Sequence, residues 1–342
     1  MANRVGKYTI VFKSAPSIIG SAGVVGKTEG EGPLSEEFDY IFSDDTLGEA
    51  SFEKSESAIQ REAIIRALNK ANIPMNEADY IFAGDLLNQS IASTFGLREF
   101  GIPFLGVFGA CSTMSLSLGL ASVFVDSGAS NISVAATSSH FCSAERQFRL
   151  PLEYGGQRPP TAQRTVTGAG ASIVAKHKSD CPSISAVTFG KITDLGIKDA
   201  NNMGAAMAPA ASHTIADFFE DTGLDISDID YIVTGDLGFV GSELLIELMK
   251  KDHNLDISDK HLDCGKMIYY RKDQDVHAGG SGCGCCASVF NSYFINRLKT
   301  GEYKNILVTA TGALMSPTSS QQGESIPSIA HAVLVTKPDN IG

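Results

Sequence analysis

Apolar and polar positions along this chain repeat. Residues 56–71 and 208–221 both read as helical segments, and each leads through a short turn into a strand-like run that closes on Gly-Asp-Leu. The two runs are EADYIFAGDL, ending at Leu86, and DIDYIVTGDL, ending at Leu237. An offset of 151 residues superimposes Ile64 on Ile215, Asp79 on Asp230, Tyr80 on Tyr231, Gly84 on Gly235 and Asp85 on Asp236. A second correspondence follows each copy. The strand-like NISVAATS (131–138) matches NILVTATG (305–312), and a small-residue helix precedes each. The helix over 111–126 is apolar or small around its whole circumference, which predicts burial on all sides. Its counterpart over 284–298 opens in the same way but ends in Asn296, Arg297 and Lys299. The order helix, strand, helix, strand thus occurs twice, predicting an α/β protein of two pseudo-symmetric halves, 1–180 and 181–342. Two small-residue helices packed at the centre predict a five-layer α-β-α-β-α arrangement.

Length and charge narrow the function classes. At 342 residues each half is long enough to bury a core, and 43% apolar content excludes a disordered chain. The formal charge of −12 argues against a general nucleic-acid binder and against adsorption on an anionic membrane. That exclusion concerns the whole-molecule field and leaves room for a local basic patch. The N-terminus shows no signal-peptide pattern, and the most apolar stretch, 110–125, is too short to span a bilayer, so a soluble protein is expected. Seven cysteines, three of them crowded at Cys283, Cys285 and Cys286, do not form a disulfide framework and predict reduced thiols.

Cys111 lies after the strand-like run 103–108 and at the opening of the buried helix. A thiol there meets unpaired backbone N–H groups and the positive end of the helix dipole, which favour the thiolate. The competing reading is a small residue filling a tight junction. His277, in HAGGSGCG, is the histidine best placed by sequence to act as a base, and its alternative is a polar structural niche. The Cys-x-Cys-Cys spacing differs from the paired Cys-x2-Cys of zinc sites, so no metal site is expected. GGSGCG lacks the companions of a phosphate loop, and no cofactor is expected.

Two repeated halves, a cysteine opening the first buried helix and a Gly-rich HAGGSGCG opening the second resemble the thiolase superfamily over nearly the whole chain. The resemblance implies a thiolase-like fold and, in an acyltransferase or ketoacyl-synthase-like enzyme, an acyl group carried on Cys111. Departures from that pattern follow. Where related synthases place a catalytic His after the second repeated strand, this chain reads Thr234-Gly235-Asp236-Leu237, and the synthase Asn falls on Cys283. The second thiolase Cys is absent, and the corresponding region leads into SIPSIAHAVLV with His331. A nucleophile without its base and oxyanion hole points to a scaffold converted from catalysis to binding.

Four of the ten arginines, Arg146, Arg149, Arg158 and Arg164, lie within nineteen residues of a loop expected over 140–164. Together with GDLLNQ, FGACS, SSH, AERQFR and EYGGQ this resembles the thiolase-like sporulation proteins of the SpoVA group. That likeness implies binding of dipicolinic acid (pyridine-2,6-dicarboxylate), its uptake into the forming spore and its release in germination. It also implies a homodimer held peripherally on the spore inner membrane by membrane-embedded SpoVA proteins. A flat dianion needs cations, N–H donors and a wall for its ring. Arg146, Arg149 and His140 are candidates for charge, with Ser138, Ser139, Gln147, Asn88 and Cys111 around them. Phe141 or Phe148 is the candidate wall. Calcium enters only as part of the ligand, with Asp85 and Asp236 as candidate oxygen donors. The plainer alternatives are that Arg146 and Arg149 pair with Glu145 and Glu153, and that Asp85 and Asp236 are turn or cap residues.

Overall fold

The computed structural model describes residues 2–148 and 158–339. Arg149 and Glu153 lie outside them. Two five-stranded mixed sheets, joined at one edge pair into a continuous 13-stranded sheet that includes three short flanking strands, carry the molecule. In the first half the strands are β1 (Ser17–Val25), β2 (Tyr80–Gly84), β3 (Phe104–Gly106), β4 (Ile132–Ser139) and β5 (Gly168–Ala175). In the second they are β6 (Ser183–Phe189), β7 (Tyr231–Thr234), β8 (His261–Asp263), β9 (Asn305–Ala313) and β10 (Ser328–Thr336). Spatial order is β3-β2-β4-β5-β1 in one sheet and β8-β7-β9-β10-β6 in the other. The strand directions match as well. β2 runs parallel to β3 and β4, as β7 does to β8 and β9. β5 is antiparallel to β4 and β1, as β10 is to β9 and β6. The sheets touch edge to edge at one antiparallel pair, Ser17 opposite Ser183.

Helices complete the layers. In the first half they are α1 (Phe52–Ala71), α2 (Ile91–Leu97), α3 (Thr113–Ser127) and α4 (Phe141–Phe148). The second half holds α5 (Met203–Thr222), α6 (Gly238–His253), α7 (Cys283–Val289) and α8 (Ile295–Thr300), the last two joined by a π-helical turn. On one outer face Ile59, Ala63 and Ile64 of α1 pack on Val134 and Ile173. On the other, Met207, Ile215 and Phe218 of α5 pack on Ile232 and Leu307. Between the sheets, Met114 and Leu118 of α3 share a core with Cys286, Ala287 and Val289 of α7 and with Phe290. These are the five layers expected from the repeat. One departure crosses the halves: strand Thr9–Phe12 pairs with β6 rather than with its own sheet.

The 18-residue stretch Ala110–Ser127 passes the length and hydropathy test for a membrane span, yet 67% of it is buried in the molecule. Its serines stay inside by turning back on the helix: Ser117 Oγ donates to Thr113 O and Ser122 Oγ to Leu118 O, both at 2.7 Å. The central layer is pressed hard on the first sheet. A β-carbon on Gly170 would fall 2.0 Å from the Ala287 carbonyl oxygen, and one on Gly23 would fall 2.2 Å from that of Ser288. Gly170→Ala is therefore expected to push α7 off β5 and to destabilise the fold by about 2 kcal/mol or more, read as a lower denaturant midpoint. An unchanged midpoint would show that the layer has slack.

Candidate functional site

The two repeats bring their Gly-Asp-Leu ends toward the openings of the central helices. Cys111 precedes α3 on a turn tied at several points. Ser112 Oγ donates to Gly109 O at 2.7 Å, Thr113 Oγ1 donates to Ala110 O at 2.6 Å, and Gly109 N–H donates to Thr113 Oγ1 at 3.1 Å. Ala110 holds a left-handed φ of 49°, a conformation costly for a residue with a β-carbon. Cys111 is buried beside Cys283, Leu86 and Ala144.

Asp236 faces this thiol. Its Oδ2 accepts the Gly282 N–H at 2.8 Å and the Ser281 hydroxyl at 3.3 Å, while Oδ1 accepts the Thr311 hydroxyl at 3.0 Å. Cys111 is a further hydrogen-bond partner of the carboxyl. Burial raises Asp236 to about 7. Burial, followed by the charge of Asp236, pushes the Cys111 thiol well above its usual range. The thiolate expected from the helix dipole is not favoured here, because desolvation and a facing carboxylate outweigh a partial charge. Cys283, opening α7, donates to Ser138 O at 2.9 Å and is held protonated by burial and by Glu56, Asp85 and Asp236.

Asp85 and Asp236 occupy the same place in the repeat and do different work. Asp85 Oδ1 accepts Leu87 N–H at 2.9 Å, and Oδ2 accepts the backbone and hydroxyl of Ser93 at 2.8 and 2.6 Å, capping α2. In the second half Asp263 takes over that duty for α6, accepting Leu237 and Gly238 N–H at 2.8 and 2.9 Å. Asp236 is thereby released toward Cys111. Both oxygens of Asp85 and both of Asp236 accept N–H or O–H donors from the protein.

His140 is also reassigned. It is fully buried, its Nε2–H donates to Asp45 O at 2.7 Å, and its Nδ1 accepts Cys142 N–H at 3.2 Å. Burial lowers its pKa, so it supplies no charge. Ser138 and Ser139 are structural. The Ser139 hydroxyl donates to Val166 O at 2.7 Å and accepts Gly284 N–H at 3.1 Å, clamping α7 to β4. His277 does not meet Cys111; its Nε2 lies 2.9 Å from Asp275 on the surface.

Two hollows flank α4. The inner one, about 70 Å³, is lined by Cys111 and by largely apolar side chains, among them Phe108, Phe148, Met203, Met207 and Met315. The outer one, about 400 Å³, is lined by Asn88, Gln89, Arg146, Gln147 and Glu53. Helical spacing explains the division, because Ala144, Glu145 and Phe148 face inward while Ser143, Arg146 and Gln147 face the outer cleft. Arg146 pairs with Glu53 of α1 rather than with Glu145. Gln147 pins the 86–88 loop, donating to Leu86 O and accepting Asn88 N–H, both at 3.1 Å. The expected ligand set is thus split. Asn88, Arg146 and Gln147 share one cleft, and Cys111 lines another.

Sequence reasoning passed over Glu56 and Asp263. Glu56 is fully buried, accepts the Ser143 hydroxyl at 2.5 Å, and is driven well up by burial and by Asp85. Its signal was there: Glu56, Ile59, Gln60, Ala63 and Ile64 form one helical stripe, all of it buried. An acid on an apolar stripe is a buried acid.

The chain matches the family described as Stage V sporulation protein AD (SpoVAD) over residues 6–336. The chain belongs to that family. Stage V sporulation protein AD of Bacillus subtilis (strain 168) is 45% identical to it over 330 residues, 96% of each chain. Among solved structures, 3-oxoacyl-[acyl-carrier-protein] synthase III from Aquifex aeolicus is similar at a TM-score of 0.58 and 16% identity, covering 94% of this chain and 99% of that one. Cerulenin-bound OleA of Xanthomonas campestris is similar at 0.61 and 16% identity, covering 95% and 97%. This is a sporulation protein on the fold of condensing enzymes, thiolase-like as its sequence indicated. Within this SpoVAD-family chain, the Asp236 carboxylate should hold Cys111 unreactive. Asp236→Asn is expected to speed iodoacetamide labelling of Cys111 at pH 7.5 by about tenfold, followed by peptide mass spectrometry. An unchanged rate would show that access, not charge, limits the thiol.

Proposed function

We propose that this protein is a non-catalytic binder of dipicolinic acid, free or as its calcium complex, serving uptake into the forming spore and release in germination. The observation that carries the reading is the outer cleft, where Arg146, Asn88 and Gln147 converge beside a condensing-enzyme cysteine that has lost its activation. A guanidinium carries five N–H donors, and the contact with Glu53 engages Nη2. The remaining edge suits a carboxylate taken in bidentate fashion, with the Asn88 side-chain amide for the second carboxylate.

The state of Cys111 supports binding over catalysis. When a cysteine passes its proton to histidine, the product is a thiolate beside an imidazolium, which stabilise each other. Passing it to Asp236 would leave a thiolate beside a neutral carboxyl, in a buried site that no cation among the described residues reaches. Burial without a compensating cation makes that transfer uphill. Titration of the purified chain with dipicolinate at moderate salt is expected to saturate, and Arg146→Ala to weaken binding about tenfold. Binding unchanged in that variant would remove the outer cleft from the reading.

A second reading, acyl transfer through Cys111, is favoured by the inner hollow, whose Phe and Met walls suit an acyl chain. It requires an adduct on Cys111 after incubation with acyl-CoA thioesters, absent in Cys111→Ser. The binding reading expects no adduct at any chain length by intact mass.

A further inference from the structure

A surface built from the segments 158–164 and 266–277 combines residues whose formal charge is opposite in sign to that of the chain as a whole. Its residues form a continuous series of contacts. Arg164 stacks on Phe141 with its guanidinium carbon 4.1 Å from the ring centre, and Arg158 approaches the same ring at 6.0 Å. Arg158 Nη2 then contacts the Asp275 carboxylate at 2.7 Å, and Asp275 holds His277 at 2.9 Å. Arg271 Nε donates to the His277 carbonyl at 3.3 Å and stacks on Phe239 at 4.0 Å, and Lys266 lies 5.8 Å from that ring. Lys272 and Tyr270 are exposed beside Arg271.

Within 158–164 and 266–277 there are five permanent cations, Arg158, Arg164, Lys266, Arg271 and Lys272, against two carboxylates, Asp273 and Asp275. The rest of the chain therefore carries a formal charge of −15, the whole being −12 and these segments +3. Two of the cations are held by aromatic stacking, which fixes a guanidinium plane and leaves its N–H edge for an anion. Among the described residues, Arg158 Nη1 and Arg164 Nε are buried without a hydrogen-bond partner.

We propose that this face docks an acidic segment of a protein partner, with carboxylates taken by Arg271, Lys272 and Lys266 and with Tyr270 and Phe239 as apolar contacts. Charge complementarity selects the occupant. An extended anionic membrane would meet the strongly negative remainder of the chain, and each basic residue contributes only about 1 kcal/mol at such a surface. A peptide segment meets the patch alone, because charges beyond about 8 Å are screened at physiological salt. Bidentate guanidinium geometry also matches carboxylates.

The test uses the full chain and a fluorescein-labelled octaglutamate peptide, read by anisotropy at low and moderate salt. The wild-type protein is expected to bind the peptide despite its net negative charge, with binding weakened by salt. Arg271→Glu combined with Lys272→Glu should weaken it about tenfold, and Arg271→Gln by less. Lys250→Glu combined with Lys251→Glu makes the same charge change on α6 and should leave binding within about twofold. Absence of peptide binding, or equal losses in the two reversed variants, overturns the proposal. So does co-sedimentation with phosphatidylglycerol vesicles that Arg271→Glu and Lys272→Glu abolish while peptide binding is unaffected. Dipicolinate titration of the same variant separates this face from the cleft: unchanged affinity is expected, and its loss would make the patch a small-ligand site instead.

Discussion

The rest of the structure depends on how closely the central helices sit against the first sheet. Where Gly170 meets the Ala287 carbonyl and Gly23 meets that of Ser288, backbone touches backbone with no side chain between. That contact fixes where α7 begins, and so places Cys283, Gly282 and Ser281. Gly282 and Ser281 in turn hold the Asp236 carboxyl against Cys111. The site is assembled from both halves: Thr311 from β9, Ser281 ahead of α7 and the Cys111 turn all converge on one buried acid. Small residues in this layer are a packing requirement first. Their effect on chemistry follows from that packing.

Charge then decides what the site can do. Burial, and then three acids, Glu56, Asp85 and Asp236, hold Cys283 protonated, and burial with Asp236 does the same for Cys111. A low-dielectric pocket of this kind disfavours further negative charge, whereas the outer cleft presents the Arg146 guanidinium. The apolar inner hollow is lined by Cys111, whose thiol burial and Asp236 hold protonated. Cation-rich and anion-rich regions are thus segregated within a chain whose net charge alone would suggest uniform acidity.

Much of this was legible in the sequence, and the reasons for the rest are physical. The duplicated EADYIFAGDL and DIDYIVTGDL runs fixed the symmetry of the two sheets, because strand, turn and cap are local properties of a segment. The all-round apolar character of 111–126 placed that helix in the middle layer. Arginine clustering was visible, but not its division. Arg146 lies on α4 beside Asn88, whereas Arg158 and Arg164 stack on Phe141, a split set by which side of a helix or strand each residue occupies in three dimensions. His140 looked like a ready cation by type and became a neutral core residue by burial. Equal positions in the repeat made Asp85 and Asp236 look interchangeable. Only the arrival of Asp263, from a strand with no counterpart cap in the first half, separates their roles.

That separation bears on what a substitution at 236 would cost. Because Asp263 caps α6, Asp236 is free of that duty and is the acceptor for Gly282, Ser281 and Thr311 at once. An imidazole at 236 would abandon those three donors in a buried space. Exchanging this carboxyl therefore costs three hydrogen bonds at once, which tie the start of α7 and β9 to the site.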